Sequence, residues 1–295
     1  MRSIGSTKGL KNLTKFFEII KNMIEDIFKK FKIKAKKSLG QNFLVDDSIL
    51  KYIADYLDLE NKNIVEVGPG YGALTQKLLD NSPKSLTLVE LDKDMVSILE
   101  KRIEDGDLNA GNVNFKINNV DVLKYFPLIK NYSVIANIPY YITSPILRHF
   151  LYEVENKPAN MIILMQKDVG DKILLGQDNN KRYTSSVLSL FVAKKTKVIE
   201  IASVPKESFI PSPKIESSVL FFEKHNLYDD IPDKKFLKII KIGFLSPRKK
   251  LIKNLNKGGF NKSELLKIFS ELGMDENIRG EILGINDWCN LIKKL

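Results

Sequence analysis

From about residue 62 the apolar positions fall into short runs separated by stretches of helical spacing. Asn63–Val67, Ser85–Glu90, Val113–Ile117, Tyr132–Ala136 and Asn160–Met165 have the length and composition of strands. Between them Ala73–Leu79, Asp92–Ile103 and Ser144–Tyr152 repeat their apolar residues at the helical period. Strand and helix in alternation predict an α/β fold with a parallel, doubly wound sheet. Lys197–Ala202 and Ile215–Phe222 break the rhythm, because they flank a loop with Pro205, Pro211 and Pro213 and no helical pattern. They predict an antiparallel pair at the sheet's edge. After His225 the strand patterns stop. Ile231–Phe244, Pro247–Leu255, Lys262–Leu272 and Asn286–Leu295 predict four short helices between Gly, Asn and Pro punctuation. The expected organisation is an extension over 1–33, an α/β domain over 34–225 and an all-helical domain over 226–295.

The extension has its own pattern. Leu10, Leu13, Phe17, Ile20, Ile24, Ile27 and Phe31 recur at helical spacing with lysines between them, predicting a basic amphipathic helix. Charge then bears on partners. The net charge is +11, and residues 1–37 hold eleven Lys/Arg against three acids, which leaves a surplus of only three for the remaining 258 residues. Such a balance points to a polyanionic partner, with part of the signal confined to the tail. Glu18, Glu25 and Asp26 oppose a transit peptide, and no apolar run approaches the ~18 residues of a membrane span. A cytoplasmic protein without membrane insertion is expected. At 295 residues and 43% hydrophobic the chain can bury a sizeable core. The single Cys289 and the two distant histidines, His149 and His225, offer no disulfide, metal cluster or hydrolase triad. No metal is expected, and the chemistry falls to an organic cofactor.

Two stretches carry that chemistry. Glu66-Val-Gly68-Pro-Gly70-Tyr-Gly72 follows the first strand and opens a helix, a place where glycine lets backbone turn tightly against a ligand. Gly68–Ala73 also fits the dinucleotide pattern, with Glu90 at nearly the expected distance, so this turn alone leaves NAD open. Three acids favour S-adenosylmethionine instead. Glu66 can serve the cationic methionine moiety, Glu90 the two ribose hydroxyls and Asp121 the adenine amino group. Each taken singly is also a plausible solvated strand-end acid, but the ends of successive strands in such a sheet converge on one crevice. The second stretch, Asn137-Ile138-Pro139-Tyr140, ends a predicted strand with a carboxamide, backbone carbonyls and a ring. The Asn137 oxygen and the carbonyl of Ile138 or Pro139 can accept the two N–H groups of an adenine N6 and localise its lone pair, while Tyr140 stacks on the base. A strand followed by a Pro-containing turn is the equally available plain reading.

Together these motifs resemble the rRNA adenine N6,N6-dimethyltransferases, the group that includes the small-subunit enzyme behind kasugamycin sensitivity. The resemblance runs from Lys36 to Leu295. It rests on Ser38–Leu44, Glu66–Thr75, Val89–Asp92, Asn137–Pro145, Met165–Lys167 and Phe209–Pro213 in the family's order. It implies a Rossmann-like class I methyltransferase sheet with a small C-terminal helical domain. It also implies S-adenosylmethionine held by Asn42, Leu44, Gly68, Glu90, Asp121 and Asn137 with Gln41 beside them; Glu66 and Gly70 join these from the reading above. Asn137, Pro139 and Tyr140 carry the transfer. The implied reaction is dimethylation of two adjacent adenosines near the 3′ end of small-subunit (16S) rRNA, late in 30S subunit biogenesis. The implied partner is the pre-30S particle, met by a monomer.

Pro247–Asn254 and Leu272–Arg279 resemble the small-subunit branch rather than the large-subunit enzymes of macrolide resistance. Arg248, Lys249, Lys250 and Lys253 cluster at the start of a predicted helix, where the dipole does not favour cations, and are the expected RNA contacts. Lys181, Arg182, Lys194, Lys195 and Lys197 are weaker candidates. Three positions depart from the family's usual pattern: Ala136 stands for Gly, Tyr141 for Asn and Thr184 for Gly. The alternatives are a large-subunit methyltransferase, a DNA adenine methyltransferase, a non-catalytic ribosome-assembly factor and, last, an NAD enzyme.

Overall fold

Strands apolar at nearly every position must be covered on both faces, and the central sheet meets that demand. The computed structural model describes residues 27–175 and 185–295. Seven strands are ordered β4-β3-β2-β5-β6-β9-β7. They are β2 (Asn63–Val67), β3 (Ser85–Glu90), β4 (Asn114–Asn119), β5 (Tyr132–Asn137), β6 (Asn160–Gln166), β7 (Thr196–Val204) and β9 (Ser217–Lys224). Those from β2 to β6 run parallel, whereas β9 lies antiparallel to both β6 and β7. The expected edge pair is present, with β9 on the inner side. Two further strands, β1 (Phe43–Leu44) and β8 (Phe209–Ile210), form a separate antiparallel pair.

Alternate residues of one strand enter opposite cores. Ile64, Ile135 and Ile162 meet Leu50 and Ile53 of α1 (Asp47–Asp55), Leu74 and Leu78 of α2 (Ala73–Asp80) and Leu99 of α3 (Lys93–Glu104). Val65, Val134 and Ile163 face the other way, onto Ile146 and Leu147 of α4 (Thr143–Arg148), Ile173 of α5 (Lys167–Leu175) and Phe191 of α6 (Val187–Ala193). Each fully buried aliphatic side chain contributes about 1.5–3 kcal/mol, so a one-residue register slip would exchange both cores at once. Helices α1, α5 and α6 were not among those expected, although α1 buries Leu50, Ile53 and Ala54 at helical spacing; α6 is apolar almost throughout.

Four helices follow: α7 (Asp233–Gly243), α8 (Leu251–Lys257), α9 (Lys262–Glu271) and α10 (Ile285–Lys294). Their core of Phe236, Ile240, Leu255, Phe269 and Trp288 continues into Leu190 and Ala193 of α6. Gly243 lets α7 pass Trp288, because a Cβ there would lie 2.2 Å from the indole. The expected helix over Pro247–Leu255 starts late. Leu251 N donates to Ile278 O (2.8 Å) rather than into its own helix, and Pro247–Lys250 form a turn before it. Arg248, Lys249 and Lys250 therefore precede the helix instead of forming its first turn.

The amphipathic pattern before residue 27 lies outside the described residues. Its last part does not: Phe28, Phe31 and Ile33 pack against Phe43, Tyr71, Met95 and Ile98. No helix among the described residues is long and apolar enough to cross a membrane.

Candidate active site

In an open α/β sheet the crevice opens where neighbouring connections leave in opposite directions. Here β2 lies between β3 and β5. The C-terminal ends of these three strands, with Asp121 after β4, border a cavity of about 260 Å³. All of the residues expected for the cofactor and the transfer line it: Gln41, Asn42, Leu44, Glu66, Gly68, Gly70, Glu90, Asp121, Asn137, Pro139 and Tyr140.

After β2 the chain turns through Gly68 (φ +69°) and Gly70 (φ +57°). A Cβ at Gly68 would lie 3.2 Å from Asn137 O, and one at Gly70 3.1 Å from the Phe43 ring. The turn therefore lies directly against the end of β5 and against β1. Glu90 fixes it from the third side, since Gly70 N donates to Glu90 Oε2 (3.1 Å) and Asp92 N donates to Oε1 (2.8 Å). Burial raises the Glu90 pKa, and these two N–H groups oppose the rise. A carboxylate offers about four acceptor positions, so Glu90 retains capacity for ligand hydroxyls.

Glu66 is deeper. It is 1% exposed, accepts from the Thr75 hydroxyl (2.8 Å), and burial pushes its carboxyl up to about 8. An acid so placed is mostly neutral near pH 7 until a cation approaches it. Asp121 turns one oxygen back to Leu123 N (3.0 Å), which holds its side chain at the cavity's edge.

The opposite wall is a strap formed by residues 39–44. Gln41 is braced at both ends: its amide nitrogen donates to Asp92 (2.9 Å) and its oxygen accepts from Lys36 N (2.8 Å). Asn42 donates to Gly40 O (3.2 Å). Pairing of β1 with β8 holds Phe43 and Leu44 in place, extended by Val45 N to Ser208 O (2.9 Å) and by Ser208 Oγ to Asp46 (3.1 Å). Asp46 in turn caps α1 through Ser48 N and Ile49 N. Phe43, Tyr71, Leu91, Val122 and Phe209 also line the cavity and were not singled out by sequence reasoning. For Phe43 and Phe209 the available signal was that each sits inside a family motif; their pairing was not visible.

Asn137 closes β5, and its carboxamide has no hydrogen-bond partner among the described residues. Of the two carbonyls expected beside it, Pro139 O already accepts from Ile142 N (3.1 Å). Ile138 O is thereby the freer acceptor. The Tyr140 hydroxyl lies 2.7 Å from Ser217 Oγ, and Thr143 Oγ1 donates to Tyr140 O (3.0 Å). These contacts hold the Tyr140 ring from both ends. Tyr141 also borders the cavity but is 61% exposed. Ala136 is buried within β5, and Thr184 lies outside the described residues. Neither histidine lines the cavity. Nε2 of His149 lies 2.8 Å from Tyr125 O, and Nε2 of His225 3.1 Å from Ala193 O.

The basic candidates separate sharply. Arg248, Lys249, Lys250 and Lys253 are all exposed, with Lys250 hydrogen-bonded to Asn277. Lys194 is not an available contact. It is 1% exposed, donates to Asp233 (2.6 Å) and to Tyr228 O (3.2 Å), and so ties α6 to α7. Lys195 also pairs with Asp233 (3.0 Å). Lys197 is exposed, while Lys181 and Arg182 lie outside the described residues.

Comparison with known proteins agrees with this geometry. The family described as ribosomal RNA adenine dimethylase matches residues 32–295. A protein of Mycoplasmopsis pulmonis named ribosomal RNA small subunit methyltransferase A is 38% identical over 266 residues, covering 89% of this chain and 100% of the relative. Among solved structures, a dimethyladenosine transferase from Plasmodium falciparum is 26% identical, with a TM-score of 0.68 over 83% of this chain and 94% of that one. A 23S rRNA methyltransferase, ErmE, is 20% identical with a TM-score of 0.65 over 86% of this chain and 99% of that one, a likeness of fold. The α/β sheet is accordingly the Rossmann-like sheet of class I methyltransferases. The chain belongs to the ribosomal RNA adenine dimethylase family.

Proposed function

We propose that this protein dimethylates the N6 of two adjacent adenosines near the 3′ end of small-subunit (16S) rRNA, with S-adenosylmethionine as donor, late in 30S subunit biogenesis. The observation that carries the reading is the end of β5. There a carboxamide and a carbonyl, both without partners among the described residues, share one cavity with a held aromatic ring, the Gly68–Gly70 turn and three acids.

The residues fit the cofactor. Glu90 is oriented by two backbone N–H groups for ribose hydroxyls, Asp121 and Leu44 border the place for an adenine, and Glu66 is the acid for the cationic end. When bound, S-adenosylmethionine supplies an electrophilic methyl group. The chain's own residues prepare the acceptor. The Asn137 oxygen and Ile138 O accept the two N–H groups of adenine N6, drawing the nitrogen toward tetrahedral geometry, and the Tyr140 ring holds the base plane. No histidine is needed, because methylation makes N6 a strong acid that loses its proton readily. Most of the catalysis is position and electrostatics.

The base must leave its stack to enter such a cavity, which favours looped or single-stranded RNA. Residues 226–295 supply the RNA-binding domain in this reading, and the exposed Arg248, Lys249, Lys250 and Lys253 contact phosphates. Each lost contact would lower the salt slope by about one. A monomer meets one RNA site.

The decisive experiment is mass spectrometry of rRNA from undermethylated small subunits incubated with the protein and labelled cofactor. Two dimethyladenosines near the 3′ end are expected. Label on large-subunit RNA in a parallel incubation with large subunits, and none on the small, would assign the macrolide-resistance branch, and cofactor-independent binding without label would assign an assembly factor.

A further inference from the structure

Tyr140 and Tyr141 are neighbours in sequence and border the same cavity, yet only one of them is anchored. Tyr140 is half-buried, with its hydroxyl held 2.7 Å from Ser217. Tyr141 is 61% exposed, and its hydroxyl has no hydrogen-bond partner among the described residues. Its ring rests on the strap. A Cβ on Gly40 would lie 3.2 Å and 3.4 Å from two Tyr141 ring carbons, and Gly40 takes a left-handed φ of +62°. The backbone beneath the ring is also fixed. Ile142 N donates to Pro139 O, and Thr143 Oγ1 donates to Tyr140 O, closing a tight turn over 140–142.

Single exposed aromatic residues are common on protein surfaces and need no explanation. This one stands at the mouth of the cavity proposed to receive the target base, on a turn closed by two hydrogen bonds. A base that leaves its stack deprives the adjoining base of a stacking partner. A ring beside the opening can replace that partner, a contact worth about 1–3 kcal/mol and indifferent to base identity.

We propose that Tyr141 is the stacking platform for the nucleotide adjoining the target adenosine. The inference rests on the rRNA reading above and deepens it. Where the substrate carries two adjacent adenosines, the same ring holds one while the other occupies the cavity. The departure from Asn at this position thus adds a second aromatic surface, at the mouth of the cavity.

The test uses Tyr141→Ala, Tyr141→Asn and Tyr141→Phe in the full-length protein. The Ala and Asn variants should raise the KM for RNA about tenfold, with kcat and the dissociation constant for S-adenosylmethionine unchanged. Tyr141→Phe should behave as wild type, because stacking needs the ring and not the hydroxyl. In parallel, 2-aminopurine replaces the adjoining adenosine in a substrate RNA. Its fluorescence should be quenched on binding to wild type and Tyr141→Phe, but not to Tyr141→Ala. Equal quenching by all variants overturns the proposal, as does a Phe variant that matches Ala. A fall in kcat at unchanged KM also overturns it, by assigning the ring to the target base. The quenching is read without turnover, so a wild-type protein that binds RNA but transfers no methyl group would defeat the methylation reading and leave the stacking measurement to stand or fall by itself.

Discussion

Glu90 ends β3 and Asn137 ends β5, on either side of β2, and the protein treats their side chains in opposite ways. Both oxygens of Glu90 accept backbone N–H groups from the turns they orient. The Asn137 carboxamide accepts nothing among the described residues. The rest of each region follows suit: Glu66 is held by Thr75 and Gln41 by Asp92 and Lys36, whereas Ile138 O and the Tyr141 hydroxyl find no partner among the described residues. One half of the cavity is finished before any ligand arrives. In the proposed reading the other half keeps its polar groups for the reacting base, where an interaction made most strongly in the transition state raises turnover rather than affinity.

Substitutions should therefore separate the halves. The largest effect is expected from Asn137→Ala, which should lower kcat on the order of 100-fold while calorimetry finds cofactor binding weakened far less. A matching loss in both quantities would erase the distinction between the two ends. Glu90→Ala should do the converse. Losing charged hydrogen bonds of about 1.5–3 kcal/mol should weaken cofactor binding roughly 10–100-fold, with kcat at saturating cofactor much less affected.

Glu66 gives the finished half a pH signature. Its carboxyl is raised from 4.5 to about 8, so the folded apo protein holds a proton that the unfolded chain has lost. The corresponding stability is complete below the ordinary carboxylate range and disappears as pH rises through about 8. A cationic ligand reverses the preference and expels the proton. Cofactor affinity should then rise with pH, by up to about tenfold per unit, until pH reaches about 8, and calorimetry in buffers of different ionisation enthalpy should register proton release. Glu66→Gln should flatten both trends; an unchanged pH profile would place the coupling elsewhere.

The smallest effect concerns the brace behind the cavity. Phe28 lies edge-on to Phe43 (5.4 Å) and Tyr71 (5.3 Å), both of which line it. Lys36 reinforces the same strap through Asp92 (2.6 Å) and Asp94 (2.7 Å). Aromatic pairs of this kind contribute about 0.5–1.5 kcal/mol. Phe28→Ala should weaken cofactor binding roughly fivefold without altering kcat, and Phe28→Leu should recover part of the loss.

The finished half was the more legible in sequence, because glycines that need a left-handed turn and acids that end apolar strands are local signals. Asn137–Tyr140 could be located but not distinguished from a plain turn until the unpaired carboxamide was seen. What stayed hidden was non-local. Two-residue strands have no periodicity, so nothing joined Phe43 to Ile210. Lys194 reads in sequence as one more surface lysine, and only Asp233, brought up by α7, shows it to be buried. The start of α8 depends on Ile278, beyond the reach of helix-start rules. Depth likewise sets the Glu66 pKa, and a strand's alternation indicates a face without saying how far below the surface it lies.

The β1–β8 pair has a consequence for the order in which the protein acquires its competence. Two residues on each side join segments far apart in the chain, so little enthalpy is set against the entropy of closing a long loop. Contacts of such separation form late in folding, and small units of this kind open at lower free energy than a central sheet. The strap over the cavity should therefore open at lower free energy than the sheet, and on warming the protein should lose its hold on a ligand before it loses its shape.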